Sequence, residues 1–211
     1  MELIHEGKVK RVFQDPESPE RVIIEFTDAV TAGDGEKKEK FPRKGIIACE
    51  MSEYLFGYLE GKGIDTHYVK KLTDNQLLCK KVKVFPIEVV CRNIAAGSFC
   101  RRYGTEKGTV FTQPLVEFFV KDDEFHDPLI TTGAIIRLGL AKREELDFLR
   151  SIALSVNYYL VELLKQRNLV LVDFKLEFGR TEKGYVVLVD EISPDTMRIW
   201  DSEASDRKSV V

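Results

Sequence analysis

Two apolar stretches, LVLVDFKLEF at residues 169–178 and YVVLVDEI at 185–192, flank the short segment TEKG at 181–184. Both stretches are rich in β-branched and aliphatic residues, which favours strands, and the four residues between them are typical of a hairpin turn. The first stretch also carries three charged residues at alternate positions, which fall on one face of a strand. The sequence therefore predicts an antiparallel hairpin with charges where a buried strand would be apolar.

The charges of this hairpin, among them Asp173, Lys175 and Glu177, admit two interpretations. Carboxylates crowded on adjacent strands repel each other unless a cation separates them, and magnesium binds a few carboxylates together with phosphate oxygens. Alternatively, the charges form a solvent-exposed strand face with cross-strand ion pairs, such as Lys175 with Glu191. Periodicity alone leaves both interpretations open.

Outward from the hairpin, hydrophobic periodicity predicts both strands and helices. A long helix is expected over residues 142–167, and an earlier helix is expected to end near Gly61 or Gly63. The apolar face of the earlier helix is predicted from residues at helical spacing, namely Ile47, Met51, Tyr54, Leu55 and Tyr58. Further strands are predicted at residues 8–13, 21–26, 68–70, 77–82 and 87–92.

Three other segments are predicted to be turns, short helix or irregular chain. Pro86 predicts a turn or hinge, residues 95–103 a short helix, and residues 105–135 an irregular segment. The element order predicts an α+β fold with antiparallel sheets, flanking helices and a cleft between two lobes. We expect these lobes at residues 1–90, which are β-rich, and 91–211, which are α+β.

The composition is that of an ordinary globular protein. The 211 residues include 32 basic and 35 acidic side chains, so the net charge of −3 gives no general reason to bind nucleic acid. No apolar stretch approaches the roughly 18–20 residues that cross a bilayer, and the first residues do not resemble a signal peptide. The four cysteines show no C-x-x-C pairing, which favours reduced thiols. We therefore expect a cytoplasmic protein without a membrane partner.

The common nucleotide-binding motifs are absent from the sequence. No G-x-x-x-x-G-K-[ST] P-loop occurs, and no G-x-G-x-x-G follows a predicted strand. The kinase catalytic loop H-R-D-x-x-x-x-N is also missing. These absences exclude the standard P-loop, Rossmann and kinase signatures but leave other modes of nucleotide binding open.

Residues 6–12 offer a phosphate-binding strand. Gly7 allows close approach of the backbone to a phosphate. Lys8 and Lys10 are two residues apart and lie on the same face of the strand that follows, where either ammonium group could reach phosphoryl oxygens. An exposed basic strand without a ligand is the alternative interpretation.

Two further segments offer anion-binding side chains. Arg92 precedes small residues and Ser98, an arrangement that suits an anion at a helix N-terminus, although Ser98 could equally be a simple helix cap. Asp195 and Arg198 are predicted to project from a proline-containing loop beside Trp200, which a purely structural turn would also explain.

Taken together, these segments resemble the phosphoribosylaminoimidazole-succinocarboxamide synthase (SAICAR synthetase) family of purine biosynthesis. The resemblance implies an ATP- and magnesium-dependent ligase, in a homo-oligomer, that joins carboxyaminoimidazole ribonucleotide to L-aspartate through an acyl phosphate. Six strings in family order, spanning residues 6–201, carry the resemblance: EGKVKRVF, TAGDGEKKEKF, PIEVVCRNIAAGSFCRRYG, HDP, LVLVDFKLEFG and VDEISPDTMRIWD.

The resemblance implies that residues 1–90 form an ATP-binding lobe, that residues 91–211 carry the metal and substrate sites, and that a nucleotide cleft lies between these lobes. It also implies a role for each matching residue. The residues that would line the triphosphate are Gly7, Lys8, Lys10 and Val12, and those near the base and ribose are Lys80 and the segment that includes Val84 and Glu88. The ribonucleotide would be held by Arg92, Ser98, Asp195 and Arg198. Magnesium would be held by Glu177 and Asp190, which act in catalysis together with Lys10.

Three features of the resemblance are less specific. The loop at residues 33–35 would cover the site, and Lys121 with residues 122–133 would be candidates for the aspartate site. The family pattern continues after Asp201 into an aromatic motif and a closing helix, whereas residues 202–211 show no apolar helical face.

Two other functions stay open at this point. The hairpin at residues 7–12 and the dipeptide Asp173-Phe174 have faint counterparts in kinase lobes, which leaves a kinase-like phosphotransferase as one alternative. The missing closing helix leaves an inactive nucleotide-binding module as the other. Dependence of ADP release on L-aspartate would distinguish the ligase from both.

Overall fold

The computed structural model describes residues 1–32, 37–122 and 124–203, and these residues form strands and helices in an α+β arrangement. The strands are β1 (Leu3–Glu6), β2 (Lys10–Gln14), β3 (Arg21–Phe26), β4 (Ala29–Ala32), β5 (Lys37–Lys40), β6 (Tyr68–Thr73), β7 (Gln76–Lys80), β8 (Lys83–Ile94), β9 (Val110–Val120), β10 (Leu169–Arg180), β11 (Val186–Val189) and β12 (Met197–Asp201). The helices are α1 (Lys44–Glu60), α2 (Ser98–Tyr103), α3 (Thr132–Arg137) and α4 (Arg143–Lys165).

The chain divides into two compact units. The first unit comprises Met1–Val84 and Phe178–Asp195, and the second comprises Phe85–Glu177 and the segment that starts at Thr196. The structure thus differs from the predicted division at residue 90, because the hairpin end at 178–195 belongs with the N-terminal segment. Sequence periodicity predicts strands but not their distant partners, so it could not assign this returning segment.

The first unit is built on an antiparallel sheet with the strand order β1-β2-β3-β7-β6. Its central strand β3 is apolar and buried because Val22, Ile23 and Ile24 lie between paired neighbours on both sides. Helix α1 packs against β3, and the contact is so close that a Cβ atom on Gly45 would lie 2.7 Å from the carbonyl oxygen of Phe26. Glycine is therefore required at the start of α1.

Helix α1 exists as predicted, but its buried face is not the predicted one. Ile47 and Tyr54 are 50% and 54% exposed, whereas the fully buried Phe56 and Leu59 face the unit's core. Among the five predicted face residues, Leu55 is buried. The prediction was wrong because apolar residues occur around most of this helix, so its periodicity does not distinguish the two faces.

The second unit contains a sheet in which β10, β8 and β9 are neighbours and β12 pairs with β10. Helix α4, predicted over residues 142–167, contacts β9 and buries apolar residues that recur at helical spacing, namely Leu146, Leu149, Ala153, Val156, Leu160 and Leu163. Although Phe148, Leu154 and Tyr158 are exposed, this spacing is regular enough that the sequence predicted the helix.

Four segments of the second unit differ from the sequence prediction. Strand β8 continues through Pro86, whose carbonyl oxygen accepts a hydrogen bond from Lys121 N at 3.1 Å. The segment 105–135, expected to be irregular, contains β9 and the first residues of α3. The loop expected to carry Arg198 is strand β12, and the short helix α2 begins at Ser98 rather than at residue 95. For β8, β9 and β12, pairing with a strand distant in sequence overrides the local turn signals.

In the first unit, β4 and β5 pair antiparallel. The predicted cover at residues 33–35 lies outside the described residues, as do Asp123 and residues 204–211. All four cysteines are free thiols, as predicted. None of the helices that the described residues form is long and apolar enough to cross a membrane.

Candidate active site

The first unit carries a charged cluster around Lys10. The Lys10 ammonium group, which is 15% exposed, pairs with the Asp190 carboxylate and lies 2.8 Å from the Glu191 carboxylate. Burial lowers the pKa of Lys10, but the two carboxylates outweigh burial and raise it above the usual value. Lys10 is therefore a fixed cation at neutral pH.

The strand exit after β11 holds this cluster in place. Asp190 has a left-handed backbone with φ of 68°, and Glu191 is buried and accepts a hydrogen bond from the Ser193 hydroxyl. The same hydroxyl accepts a hydrogen bond from Asp195 N at 3.1 Å, and the Asp195 carboxylate pairs with Lys44. Two lysines and three carboxylates thus converge on the residues that follow β11.

The other nucleotide-binding candidates of the first unit lie on its sheet. Gly7 N donates a hydrogen bond to the Lys10 carbonyl oxygen at 2.8 Å, which closes the turn between β1 and β2. Lys8 is exposed and Val12 is half-buried. Lys80 donates from its ammonium group to the Thr66 carbonyl oxygen at 2.9 Å, and Val84 is 42% exposed.

The described residues of the first unit line cavities beside both of the predicted nucleotide-binding segments. One of about 820 Å³ opens beside Gly7 and Lys8 and extends to Thr27 and Asp28. Another of about 390 Å³ is lined by Lys80 together with Asp65 and Tyr185. The first unit therefore offers open space beside both of its predicted nucleotide-binding segments.

The second unit contains a buried arginine, Arg92, whose guanidinium group has several hydrogen-bond partners. The Arg92 guanidinium, 3% exposed, donates from Nε to Glu117 at 2.7 Å and from NH1 to Asp173 at 2.6 Å. Its NH2 group lies 3.3 Å from the Ser98 hydroxyl oxygen. Glu117 also accepts hydrogen bonds from Arg102 at 2.8 and 2.9 Å. Burial raises the pKa of Asp173, although Arg198 and Arg92 oppose the shift.

Arg198 reaches this cluster from β12. Its Nε atom lies 3.2 Å from Asp173, and 37% of its side chain is exposed. Gly97 leaves space for the guanidinium group, because a Cβ atom there would lie 2.3 Å from Arg198 NH1. The second unit thus brings together three of the four predicted ribonucleotide-binding residues, Arg92, Ser98 and Arg198, whereas Asp195 belongs to the first unit.

A row of alternating charges crosses the strands of the second unit. Lys175 lies 2.6 Å from Glu88 and 3.6 Å from Glu177, and Glu177 also pairs with Lys121. Burial raises the pKa of Glu88 despite the pairing with Lys175. Among the described residues no group of three His, Cys, Asp or Glu side chains is arranged to hold a metal ion.

These positions decide two of the interpretations left open by the sequence. On the charged face of β10 the two carboxylates are not solvent-exposed, because Asp173 and Glu177 are only 4% and 5% exposed, whereas the side chain of Lys175 between them is 34% exposed. Ser98 is not the cap of α2, because the N-cap residue is Gly97 and no side chain caps this helix. Glu177 and Asp190 belong to different units. Within its own unit, Glu177 pairs with Lys121 and Asp190 pairs with Lys10.

The sequence model of the SAICAR synthetase family matches residues 3–210. The chain belongs to the SAICAR synthetase family. A curated relative, the phosphoribosylaminoimidazole-succinocarboxamide synthase of Staphylococcus aureus strain JH9, is 48% identical over 201 residues, which are 95% of this chain and 86% of the relative.

Solved structures of the SAICAR synthetase family agree with the fold. The phosphoribosylaminoimidazole-succinocarboxamide synthase of Ehrlichia chaffeensis has a TM-score of 0.94 and 40% identity and covers 99% of this chain and 88% of its own. A type-2 SAICAR synthetase in complex with ADP has a TM-score of 0.93 and 40% identity, over 99% of this chain and 87% of its own. The predicted family, the α+β fold and the ATP-dependent ligase class are thereby confirmed.

Several charged residues of this family member were not assigned a role from the sequence. Lys44, Arg102 and Glu117 each pair with a predicted site residue or with its partner. Lys175, for which a pair with Glu191 was considered, pairs with Glu88 and Glu177. The signal for Glu117 was present, because a carboxylate inside the apolar run LVEFFV is unusual in a buried strand. The partners of Lys44 and Lys175 depend on contacts distant in sequence, which no local pattern predicts.

Proposed function

We propose that this chain condenses carboxyaminoimidazole ribonucleotide with L-aspartate at the expense of ATP, releasing ADP, phosphate and the succinocarboxamide product. The observation that carries the proposal is the buried arginine cluster of the second unit, in a chain that belongs to the SAICAR synthetase family. The ADP complex of a 40% identical relative supports ATP as the phosphoryl donor.

The chemistry requires activation of a carboxylate. A carboxylate resists attack by an amine because resonance and negative charge both lower its electrophilicity. One carboxylate oxygen of the ribonucleotide attacks the γ-phosphorus of ATP, and the bond from γ-phosphorus to the bridging oxygen breaks to release ADP. The aspartate amine then attacks the carbonyl carbon of the acyl phosphate, phosphate leaves and a proton passes to solvent.

The first unit provides the nucleotide end of this reaction. Lys10 stays cationic and is held by Asp190 and Glu191, so its charge is fixed before ATP arrives. A preorganised cation stabilises charge that develops on transferred phosphoryl oxygens without reorganisation. We assign Gly7, Lys8 and Val12 to the triphosphate on the same strand pair, and Lys80 and Val84 to the base and ribose.

The second unit provides the ribonucleotide end. Arg92 is held by Glu117 and Asp173, whereas the Arg198 side chain is 37% exposed and its guanidinium group lies against Gly97. Arginine binds phosphate oxygens in a bidentate geometry, which fixes position as well as charge. We therefore assign Arg198 and Ser98 to direct contact with the ribonucleotide phosphate, with Arg92 behind them. Asp195 is assigned to the sugar of the ribonucleotide, and Glu88 is assigned to the ATP nucleotide.

The residues assigned to magnesium fit its chemistry. Glu177 and Asp190 are carboxylates with lysine partners, Lys121 and Lys10, and hard oxygen donors are the ligands that magnesium prefers. When bound, magnesium would offset the repulsion between the triphosphate and the substrate carboxylate. Lys121 and the adjoining loop stay assigned to L-aspartate as a prediction.

An ADP-release assay in which each substrate is omitted in turn tests the proposal. The ligase requires all three substrates, so omission of L-aspartate should lower steady-state ADP release to background. ADP release on a hydroxyl substrate without L-aspartate would indicate a kinase. Retained ATP binding without product at any aspartate concentration would indicate an inactive nucleotide-binding module.

The remaining predictions concern the setting of the reaction. We propose a homo-oligomer in the cytoplasm, with small molecules as its only substrates and neither nucleic acid nor membrane as a partner. We also propose that an ATP-binding lobe and a substrate lobe divide the reaction between them. Size-exclusion chromatography with light scattering tests the oligomeric state.

A further inference from the structure

Helix α2 of the second unit has little support of its own. It consists of six residues, none of which is buried, and no side chain caps its N-terminus. A helix this short is unstable in isolation, because nucleation is unfavourable and few hydrogen bonds follow it. The Phe99 ring packs edge-on against Phe111, with 5.0 Å between ring centroids, but both residues are only half-buried. The position of α2 therefore depends on contacts with other elements.

Arg102, in the last turn of α2, attaches the helix to strand β9. Its NH2 group donates to both carboxylate oxygens of Glu117, at 2.8 and 2.9 Å, and its guanidinium carbon lies 5.2 Å from the centre of the Phe119 ring. Glu117 and Phe119 are two residues apart, so they lie on the same face of β9, and both are buried. Arg102 thus covers a buried carboxylate and a buried ring at once.

The other end of the same helix face reaches the ribonucleotide-binding candidates. Ser98 and Arg102 are four residues apart, so their side chains lie on one face of α2. The Ser98 hydroxyl oxygen lies 3.3 Å from Arg92 NH2, and Arg92 Nε donates to the Glu117 carboxylate at 2.7 Å. Both ends of this face therefore meet the buried pair of Arg92 and Glu117.

We propose that Arg102 is a positioning residue for Ser98: its pair with Glu117 holds α2 against β9 and keeps the Ser98 hydroxyl beside Arg92, where the ribonucleotide phosphate binds. The inference rests on the proposed function for the identity of the ligand, whereas the attachment of α2 is a property of the second unit alone. A hydrogen bond to a charged group such as a phosphate corresponds to about 10- to 150-fold in binding, which sets the upper limit of the effect.

The kinetic test compares Arg102→Met with Arg102→Lys. Methionine fills much of the same space without a charge, whereas lysine keeps the charge beside Glu117 but not the planar guanidinium group. We expect Arg102→Met to raise KM for the ribonucleotide about 10-fold, with little change in KM for ATP, and Arg102→Lys to restore part of the loss. If Arg102→Met is not recovered folded, Arg102→Gln supplies a second uncharged variant.

Arg101→Met is the matched control for the loss of charge. Arg101 is the neighbouring residue of the same helix and is exposed, and its side chain makes no ion pair within the described part of the chain. The control therefore removes the same charge from α2 without releasing the helix from β9. We expect it to leave KM for the ribonucleotide unchanged.

A double variant separates positioning from direct contact with the ligand. In a Ser98→Ala background, Arg102→Met should raise KM for the ribonucleotide no further, because the hydroxyl group that it positions is already absent. Titration calorimetry with the ribonucleotide alone should show the same pattern in Kd. Hydrogen exchange of residues 98–104 in the unliganded protein, followed by mass spectrometry, should be faster in Arg102→Met than in the wild type or in Arg101→Met.

Additive effects of Ser98→Ala and Arg102→Met on ribonucleotide binding would overturn the positioning role. An equal rise of KM for ATP, an equal effect in Arg101→Met or unchanged exchange of residues 98–104 would also overturn it. A wild-type chain that binds the ribonucleotide but forms no product would count against the proposed function alone, while calorimetry and exchange would still decide the role of Arg102. A wild-type chain that does not bind the ribonucleotide would overturn both.

Discussion

Substitution of Gly97 by alanine should lower the stability of the second unit and also weaken its binding of the ribonucleotide, and the two effects can be measured separately. Gly97 has φ of 53° and ψ of −127°, a conformation almost restricted to glycine. A non-glycine residue in such a conformation costs about 1–3 kcal/mol, and we expect the free energy of unfolding to fall by that amount.

The same substitution should displace Arg198. The added Cβ atom would lie 2.3 Å from NH1 and 2.8 Å from NH2 of its guanidinium group, and because this end of the side chain is flexible it moves rather than the backbone. The displacement removes a charge-assisted hydrogen bond to the substrate, which contributes about 1.5–3 kcal/mol. That range corresponds to about a 10- to 150-fold increase in KM for the ribonucleotide.

The assay combines urea unfolding with steady-state kinetics for each substrate. Gly139→Ala is the matched control, because Gly139 also has a positive φ, of 66°, but a Cβ atom there meets nothing within 4 Å; it should strain the backbone and leave KM for the ribonucleotide unchanged. In an Arg198→Ala background, Gly97→Ala should not raise KM further, because its target is already absent. A normal KM in Gly97→Ala, or an undiminished KM effect in that background, would refute the assignment of Arg198.

The remaining predictions concern charged and titratable groups. Arg92→Met should lower the free energy of unfolding by about 3–5 kcal/mol, because it leaves Glu117 and Asp173 buried without their cation. Arg198→Ala should instead raise KM for the ribonucleotide, with a much smaller effect in urea unfolding. Lys10→Met should abolish turnover and also destabilise the first unit, since Glu191 is buried; unchanged turnover would exclude Lys10 from the reaction. Burial lowers the pKa of His67 to about 4, so the unfolded chain binds the proton more tightly, and stability should fall as pH decreases from about 6.5 to 4, by up to about 3 kcal/mol. His67→Gln should remove that part of the pH dependence in denaturation curves, and an unaltered slope would contradict the assignment of a buried neutral ring.

The fold was predictable where one face of an element is apolar and the other is polar. Helix α4 comes close to this condition, and its existence and range were predicted correctly, although Phe148 and Tyr158 are apolar residues on its exposed side. Helix α1 does not, and Ile47 and Tyr54 were assigned to a core from which they are exposed. Strand β9 was missed because Pro114 and the polar residues around it are turn signals in isolation, whereas pairing with β8 makes the segment a strand.

The site was predictable as a set of residues but not as a set of contacts. Arg92, Ser98 and Arg198 were selected from motifs, and they meet in the second unit. Their partners Glu117 and Asp173 come from other strands, and sequence spacing carries no information about such distances. The left-handed backbone of Asp190 was also invisible, because aspartate gives no signal as strong as glycine for that conformation.

The fate of one oxygen atom tests the central claim that the chain joins a carboxylate to an amine through an acyl phosphate. The ribonucleotide is prepared with ¹⁸O in its carboxylate and turned over with ATP and L-aspartate, and the inorganic phosphate is analysed by mass spectrometry. The account predicts one ¹⁸O atom in each phosphate released, together with one amide product per ADP. Phosphate without ¹⁸O, alongside normal amide formation, would contradict it.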